Sequence, residues 1–185
     1  MASKKTITLD RINRKILNVL QSDNQLTNQE LSTQVHVSPA TCLRRVRSLR
    51  KQGVVKMDVA LIDPFQVGRN LVVFVEIDLE NIGEDQQDEF EQRINEEAAV
   101  MQCYLIAGEF DYLVVVHVAD MEEYYEVTRR CFAALKNVKS FRSSFAITRT
   151  KFETKIHFDE FGPDLEISVG DKERRRSSVI TKRGR

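Results

Sequence analysis

The 185-residue sequence predicts a two-domain α+β protein, and three observations lead to that prediction. Apolar residues in the N-terminal third recur at three- and four-residue spacing, which is the period of amphipathic helices. In the middle of the chain, β-branched and amphipathic segments follow one another in the order β-α-β-β-α-β. The charge is also divided, because residues 1–63 hold 11 Lys/Arg and 5 Asp/Glu whereas residues 64–158 hold 10 and 17. We therefore expect a basic module for a polyanion joined to an acidic module with a different task.

The composition excludes several classes of protein. A hydrophobic content of 42% is enough for a packed core, which excludes wholesale disorder. No uninterrupted apolar run reaches the roughly 20 residues of a membrane helix, and no apolar stretch follows the basic N-terminus as in a signal peptide. The three cysteines are far apart and form no CxxC pair, which argues against disulfides and zinc. We expect a cytoplasmic protein without membrane contact.

The N-terminal third predicts three short helices with marked ends. The first follows the apolar residues from Leu9 to Leu20, with Thr8 or Asp10 as its cap. The second begins with Thr27-Asn28-Gln29-Glu30, a capping box in which the end residues satisfy each other's amides. The third begins at Ser38-Pro39 and ends at Gly53, the expected left-handed stop. Three such helices within about 45 residues, the last two joined by a short turn, predict a winged-helix-type helix-turn-helix in residues 1–63.

The third helix, from Ser38 to Gln52, carries unbalanced positive charge. Five cations lie on it and Lys56 follows, while no acidic residue occurs between Ser38 and Lys56. A solvated basic face on an ordinary helix is the alternative interpretation. The caps, the short turn and the charge together favour double-stranded DNA, read in its major groove. The predicted DNA-binding residues are Ser38, Pro39, Ala40, Thr41, Arg44, Arg45, Arg47, Ser48 and Lys51.

Residues 64–158 predict a ferredoxin-like domain, an antiparallel sheet with both helices on one face. The predicted strands are 71–79, 100–107, 112–119 and 140–158, and the predicted helices are 85–98 and 121–136. The second face of such a sheet carries Val, Phe and Ile and needs a cover, which a second copy of the chain supplies most simply. We therefore expect a homodimer on a near-palindromic operator. Residues 159–185 are expected to be a disordered basic tail, with a flexible arm that contacts phosphates as the alternative.

These features resemble the Lrp/AsnC (feast/famine) family of transcription regulators over roughly residues 8–158. The resemblance rests on Leu31, on Val35-His36-Val37-Ser38-Pro39 and on the helix Arg44-Arg45-Val46-Arg47-Ser48-Leu49 closed by Gly53-Val54-Val55. In the second domain it rests on the hairpin Gly108-Glu109-Phe110-Asp111-Tyr112-Leu113, in which Glu109 stands where the family often has Asp.

The resemblance implies an amino-acid effector, of unknown identity, bound between the second domains of neighbouring dimers in a tetramer or octamer. In such proteins the hairpin amides hold the ligand carboxylate and Asp111 helps to hold its ammonium. The residues implied for this site are Gly108, Glu109, Phe110, Asp111, Tyr112, Met121, Ser143, Ser144, Phe145 and Ala146. From the residues alone, a plain tight turn capped by Asp111 remains an alternative.

Nothing in the sequence suggests a catalytic site, a metal site or a bound cofactor. The three histidines are scattered, and no phosphate-binding glycine loop or dinucleotide fingerprint occurs. Two other functions remain open. Siroheme decarboxylases resemble the same two-domain family and are tetrapyrrole enzymes, and a nucleoid-associated protein would bind DNA without an effector.

Overall fold

The computed structural model describes residues 5–169, which divide into two compact units. One unit combines the chain up to Ala60 with the chain from Phe152 onward, and the other is Leu61–Lys151. The expected boundaries at 63/64 and 158/159 are therefore displaced. The second displacement has a physical cause, since Phe158 packs against the core of the first unit.

The first unit is built on three helices and a strand. The strand β1 spans Lys5–Leu9 and is followed by α1 (Arg11–Leu20), α2 (Asn28–Val35) and α3 (Pro39–Lys51). The capping box of α2 and the Ser38 cap of α3 are present as predicted. Leu9 was expected to open the first helix, but it ends β1, and Asp10 caps α1 by accepting from the Asn13 amide. The buried core of the helices is Ile16, Leu17, Leu31, Val35, Cys42, Val46 and Leu49.

A second strand closes this unit from the far end of the chain. The strand β6 (Leu165–Val169) pairs antiparallel with β1, with Leu9 opposite Leu165 and Lys5 opposite Val169. The predicted disordered tail is therefore wrong for residues 159–169, and residues 170–185 lie outside the described part of the chain. Alternation explains the strand pair, because Ile7 and Leu9 are buried in the helical core while Thr6 and Thr8 are exposed.

Arg14 holds the returning chain in place. Its guanidinium is buried and donates to the carbonyls of Leu9 (2.8 Å), Gly162 (2.7 Å) and Pro163 (2.8 Å). Charge-assisted bonds to carbonyls satisfy most of the donors that burial removes from water. The segment before β6 is therefore part of the folded unit.

The second unit has the predicted β-α-β-β-α-β order. After a 3₁₀ turn at Pro64–Val67 come β2 (Leu71–Leu79), α4 (Glu84–Glu96), β3 (Val100–Leu105), β4 (Tyr112–Val118), α5 (Met121–Thr128) and β5 (Val138–Phe145). A π-helical turn at Arg129–Ala133 extends α5. The antiparallel sheet has the order β3-β4-β2-β5, which confirms the ferredoxin-like prediction.

Period-2 alternation gives this sheet two different faces. Val73, Val75 and Ile77 of β2 are fully buried under the two helices, in a core completed by Phe90 and Phe132. The opposite face is more polar than predicted. It exposes Phe74 and Tyr104, but it also carries the ion pair of Glu76 with Arg142 at 3.0 Å.

The last strand of this sheet, β5, ends at Phe145 and is much shorter than the predicted strand 140–158. The Ala146 amide still donates to the Val72 carbonyl at 2.9 Å, and the chain then leaves the sheet. The apolar residues beyond it, which suggested a longer strand, divide between the two units. Ile147 is exposed in the second unit, whereas Phe158 packs on the first.

Candidate DNA-binding and effector surfaces

The helix α3 is fixed at both ends and along one side. Ser38 accepts from the Thr41 amide at the start, and Gly53 follows the helix with a φ of +75°, where an L-residue with a side chain is strained. The buried side is formed by Cys42, Val46 and Leu49. The turn before α3 is equally defined, since His36 takes a left-handed conformation with a φ of +59°.

The side of α3 that faces away from this core is exposed and basic. Arg44, Arg47 and Lys51 recur at helical spacing with Ala40, and all four are exposed. We call this row the α3 stripe. Arg50 is also exposed, but its guanidinium pairs with Asp58 at 2.8 Å, which offsets part of its charge. Four of the nine residues predicted to face DNA therefore share one accessible surface.

Arg45 lies apart from the stripe and has a different set of contacts. It is only 21% exposed, and it donates to Asp10 at 2.6 Å and to the Asn13 side chain at 2.9 Å. Burial raises the pKa of Asp10, but the Asn13 amide and Arg45 outweigh it, so this pKa lies below its ordinary value. Arg45 therefore joins α3 to the cap of α1, and we withdraw it from the predicted DNA contacts.

Ser38 and Thr41 also serve the helix itself. The Ser38 hydroxyl donates to the Thr41 hydroxyl at 2.9 Å, so both side chains belong to the N-terminal cap. The Asn28 amide group donates to the Pro39 carbonyl at 2.9 Å and ties the start of α2 to the start of α3. The DNA contacts assigned to Ser38, Pro39 and Thr41 stay predictions.

The hairpin between β3 and β4 is held by Asp111. The buried Asp111 carboxylate accepts from the Leu79 amide at 2.9 Å, and its own amide donates to the Ile77 carbonyl. Gly108 and Glu109 are exposed at the tip. Asp111 therefore stabilises the fold. This role agrees better with the tight-turn alternative than with a carboxylate that is available to bind the ammonium group of an effector.

Tyr112 belongs to the core of the second unit. It is 1% exposed, its ring lies 4.7 Å from that of Phe90, and its hydroxyl donates to Glu91 at 3.0 Å. Its implied effector role stays a prediction, but its side chain is buried in this chain. The physical reason is alternation, because Tyr112 starts β4 on the face that the helices cover.

The other implied effector residues lie at the opposite end of the sheet. On β2, Ile77 pairs with Tyr112 beside the hairpin, whereas Val73 pairs with Phe145. Four residues of strand separate the two pairs by roughly 13 Å. Met121 belongs to this second end, because α5 begins just after β4 has run past Val73.

These residues also divide between the two faces of the sheet. Ser143 and Phe145 contact Tyr124 of α5 on the helical face. Ser144 lies on the other face, opposite Phe74. One chain therefore does not gather the implied effector residues into one pocket.

The first unit has a polar groove that was not predicted from the sequence. It lies between β1 and α3, and its lining includes Thr6, Thr8, Ser48 and Gln52. The sequence does indicate the strand that forms one wall of this groove, because Thr6-Ile7-Thr8-Leu9 alternates polar and apolar residues with the period of a β-strand. Within residues 5–169 no cluster of three potential metal ligands occurs, and no helix has the length and apolarity to cross a membrane.

Comparison with known proteins relates both units to one family. Residues 9–56 match the winged helix-turn-helix DNA-binding domain, and residues 72–156 match the Lrp/AsnC ligand binding domain. A leucine-responsive regulatory protein of Klebsiella pneumoniae is 36% identical over 148 residues, which are 80% of this chain and 90% of that protein. An HTH-type transcriptional regulator of Haemophilus influenzae is 40% identical over 149 residues, which are 80% of this chain and 89% of that one.

Solved structures agree with this relation. A Neisseria meningitidis transcriptional regulator in complex with L-Met has a TM-score of 0.75 at 32% identity, over 80% of this chain and 96% of that one. A feast or famine regulatory protein of M. tuberculosis, complexed with L-methionine, has a TM-score of 0.72 at 30% identity, over 80% and 99%. The chain therefore belongs to the Lrp/AsnC family of DNA-binding transcription regulators.

Proposed function

We propose that the protein regulates transcription by binding near-palindromic double-stranded DNA as a homodimer or a larger homo-oligomer, under the control of an amino acid. The observation that carries the proposal is the α3 stripe. This stripe presents three cations, Arg44, Arg47 and Lys51, on the exposed side of α3. The opposite side of the helix is buried in the core, and both ends of the helix are capped. The stripe occurs in a chain whose second unit matches a ligand-binding domain.

The dimensions of α3 support reading of the major groove. A helix of 13 residues is about 20 Å long, and the major groove is about 12 Å wide and admits one helix. The exposed Phe74 and Tyr104 on the uncovered sheet face support a second copy of the chain as its cover. A two-fold dimer presents two copies of α3 to two half-sites, which accounts for the near-palindrome.

An amino acid suits a pocket shared by chains. Gly108 and Glu109 expose backbone at the hairpin tip, where amides can accept a carboxylate. Met121 and Ser144 lie at the other end of the sheet, so only a second chain, packed end against end, brings both groups to one ligand. This arrangement supports a tetramer or octamer. Because two similar regulators were solved with L-methionine, we take L-methionine as the first candidate and L-leucine as the second.

The mechanism is linkage between assembly and DNA binding. An amino acid that binds between chains favours the assembly that forms its pocket, and that assembly sets the spacing of the paired α3 helices. The proposal includes no cofactor besides the effector and no catalytic step, and it places the protein with its DNA in the cytoplasm.

The DNA-binding part is tested by removing charge from the α3 stripe. Arg47→Ala and Arg44→Ala each remove an exposed cation without touching the core, so we expect about a tenfold or greater loss of affinity with unchanged thermal stability. Arg129→Ala is the matched control, since it removes an exposed arginine of the second unit. Affinity is measured by fluorescence anisotropy on the promoter DNA of the protein's own gene and on random DNA at the same salt. Equal affinity for both DNAs contradicts specific regulation and favours the nucleoid-associated alternative.

The effector part is tested by a thermal-shift panel of the twenty amino acids. A ligand at 100 times its Kd stabilises the native state by about 2.7 kcal/mol, and we expect L-methionine or L-leucine to do so. Gel filtration with and without the hit measures the change in assembly, and Gly108→Val, which crowds the hairpin backbone, should abolish the shift. No shift with any amino acid contradicts the effector proposal. A change in Soret absorbance on addition of a tetrapyrrole then indicates the enzyme alternative.

A further inference from the structure

A polar groove of about 350 Å³ lies beside the α3 stripe, between β1 and α3. None of the lining residues is acidic, and the hydrogen-bonding side chains that line the groove are Thr6, Thr8, Asn13, Arg44, Arg45, Ser48 and Gln52. The helix-turn-helix match begins at residue 9, so the strand that forms one wall of the groove lies almost entirely outside the matched domains.

The groove combines positive charge with a positioned hydroxyl. Arg44 belongs both to the groove and to the α3 stripe. Gln52 donates to the Ser48 oxygen at 3.0 Å, which leaves the Ser48 hydroxyl hydrogen as a donor for a bound anion. The nearby Asp10 carboxylate is already paired with Arg45. Glu166 lies opposite Thr8 on the neighbouring strand β6, and it is not among the residues that line the groove.

The charge of the lining and of the nearby sequence is positive. The groove itself carries Arg44 and Arg45. In the sequence, Lys4 and Lys5 precede Thr6, and residues 170–185 hold 7 Lys/Arg and 2 Asp/Glu. The basic lining favours a polyanion as the occupant.

We infer that this groove holds a phosphate of the DNA backbone, bound by Arg44 and the Ser48 hydroxyl while the α3 stripe lies in the major groove. The inference rests on the proposed DNA binding and adds a contact site to it. Its geometry follows from the helix. If Arg47 of the stripe points at base edges, Arg44 and Ser48 lie to one side of it in the groove lining, where they meet the backbone at the edge of the major groove. A backbone contact adds affinity for all DNA sequences alike and makes that affinity depend on salt.

The test places opposite charges at one position in the groove wall. Thr6 is exposed and lies opposite Ser168 in the strand pair, so Thr6→Glu and Thr6→Lys make similar demands on the fold and differ in charge. Thr154→Glu and Thr154→Lys are the control pair. Thr154 is exposed in the same unit and precedes Lys155, which donates to Ser22 at the far end of α1 from the groove.

Binding to promoter and random DNA is measured for all four variants of the full chain over a series of salt concentrations. We expect Thr6→Glu to bind both DNAs at least about tenfold more weakly than Thr6→Lys, with a salt slope smaller by about 1, and the Thr154 pair to differ less than threefold. Equal binding by the two Thr6 variants overturns the groove contact while DNA binding by the wild type stands. Failure of the wild type to bind DNA overturns the proposed function itself.

Discussion

Arg45 and Arg47 are two residues apart on one helix, and the structure gives them opposite tasks. Arg45 bonds Asp10 and Asn13, whereas Arg47 is exposed in the α3 stripe. We expect Arg45→Ala to destabilise the first unit by about 1–2 kcal/mol, because it leaves a partly buried carboxylate with one hydrogen bond fewer. Thermal unfolding measures the loss, with Arg47→Ala as the control that should leave the melting temperature unchanged. Unchanged stability of Arg45→Ala together with weaker DNA binding would return Arg45 to the DNA contacts.

Asp111 shows how a family motif can serve the fold. Its carboxylate accepts the Leu79 amide across the sheet, so we expect Asp111→Ala to destabilise the second unit by about 1–3 kcal/mol. Asp111→Asn keeps a side-chain oxygen as acceptor and removes the charge, so it should retain most of that stability. Chemical denaturation of the three proteins checks the order. If Asp111→Ala unfolds like the wild type and loses only its effector response, the carboxylate acts on the ligand and not on the sheet.

We expect His117 to make the stability of the second unit depend on pH near neutrality. Burial, and then the charge of Arg149, lower its pKa below the ordinary value of 6.5. As the pH falls, His117 is therefore protonated in the unfolded chain at a higher pH than in the folded chain. The stability that neutral His117 provides is complete above pH 6.5 and is lost as the pH falls toward the folded pKa. We expect the wild type to lose stability as the pH falls below 6.5, and His117→Gln to lose less. Identical pH curves for the two proteins would contradict this role.

At the scale of elements, the sequence predicted what is local. The caps at Thr27 and Ser38 and the stop at Gly53 each depend on residues within four positions, so their chemistry is visible in the sequence. The pairing of β1 with β6 could not be predicted, because it joins residues about 160 positions apart and a local pattern does not identify the partner of a strand. Each strand has its own signal, since Thr6-Ile7-Thr8-Leu9 and Leu165-Glu166-Ile167 alternate, but both are short.

The implied effector residues stay a prediction for a related reason. A run such as Ser143-Ser144-Phe145 looks like one lining segment, yet a strand sends neighbouring side chains to opposite faces. The register then placed this run at the end of the sheet away from the hairpin. The residues of a pocket between chains cannot be gathered from one chain's sequence, because the second chain supplies half of the geometry.

Two truncations separate the fold of the C-terminal segment from its charge. Removal of residues 159–185 deletes β6 and the carbonyls of Gly162 and Pro163 that accept from buried Arg14, so we expect the first unit to lose stability by about 2 kcal/mol or more. Removal of residues 170–185 leaves those contacts and deletes 7 Lys/Arg and 2 Asp/Glu. On the basic-arm interpretation the salt slope of DNA binding should therefore fall in both variants, whereas thermal stability should fall only in the longer deletion. An unchanged slope in the shorter variant contradicts the basic-arm interpretation.

At the scale of the whole molecule, the division of charge follows the folded units more closely than it follows the chain. The unit that contains both chain ends holds 19 Lys/Arg and 11 Asp/Glu, whereas Leu61–Lys151 holds 9 and 17. The two net charges are equal and opposite, which explains a formal net charge of zero in a DNA-binding protein. In topology, the ligand-binding unit is an insertion within the DNA-binding unit.

This topology predicts which pieces of the protein fold alone. Leu61–Lys151 is contiguous and has its own buried core, so we expect it to unfold cooperatively and to keep the effector-induced thermal shift. Residues 1–60 alone lack β6, the Phe158 packing and two acceptors of Arg14, so we expect them to be far less stable than the same residues joined by a short linker to residues 152–169. Circular dichroism melts of the three fragments measure this. If the fragment 1–60 melts at the same temperature as the joined form, residues 152–169 do not contribute to the stability of the three helices.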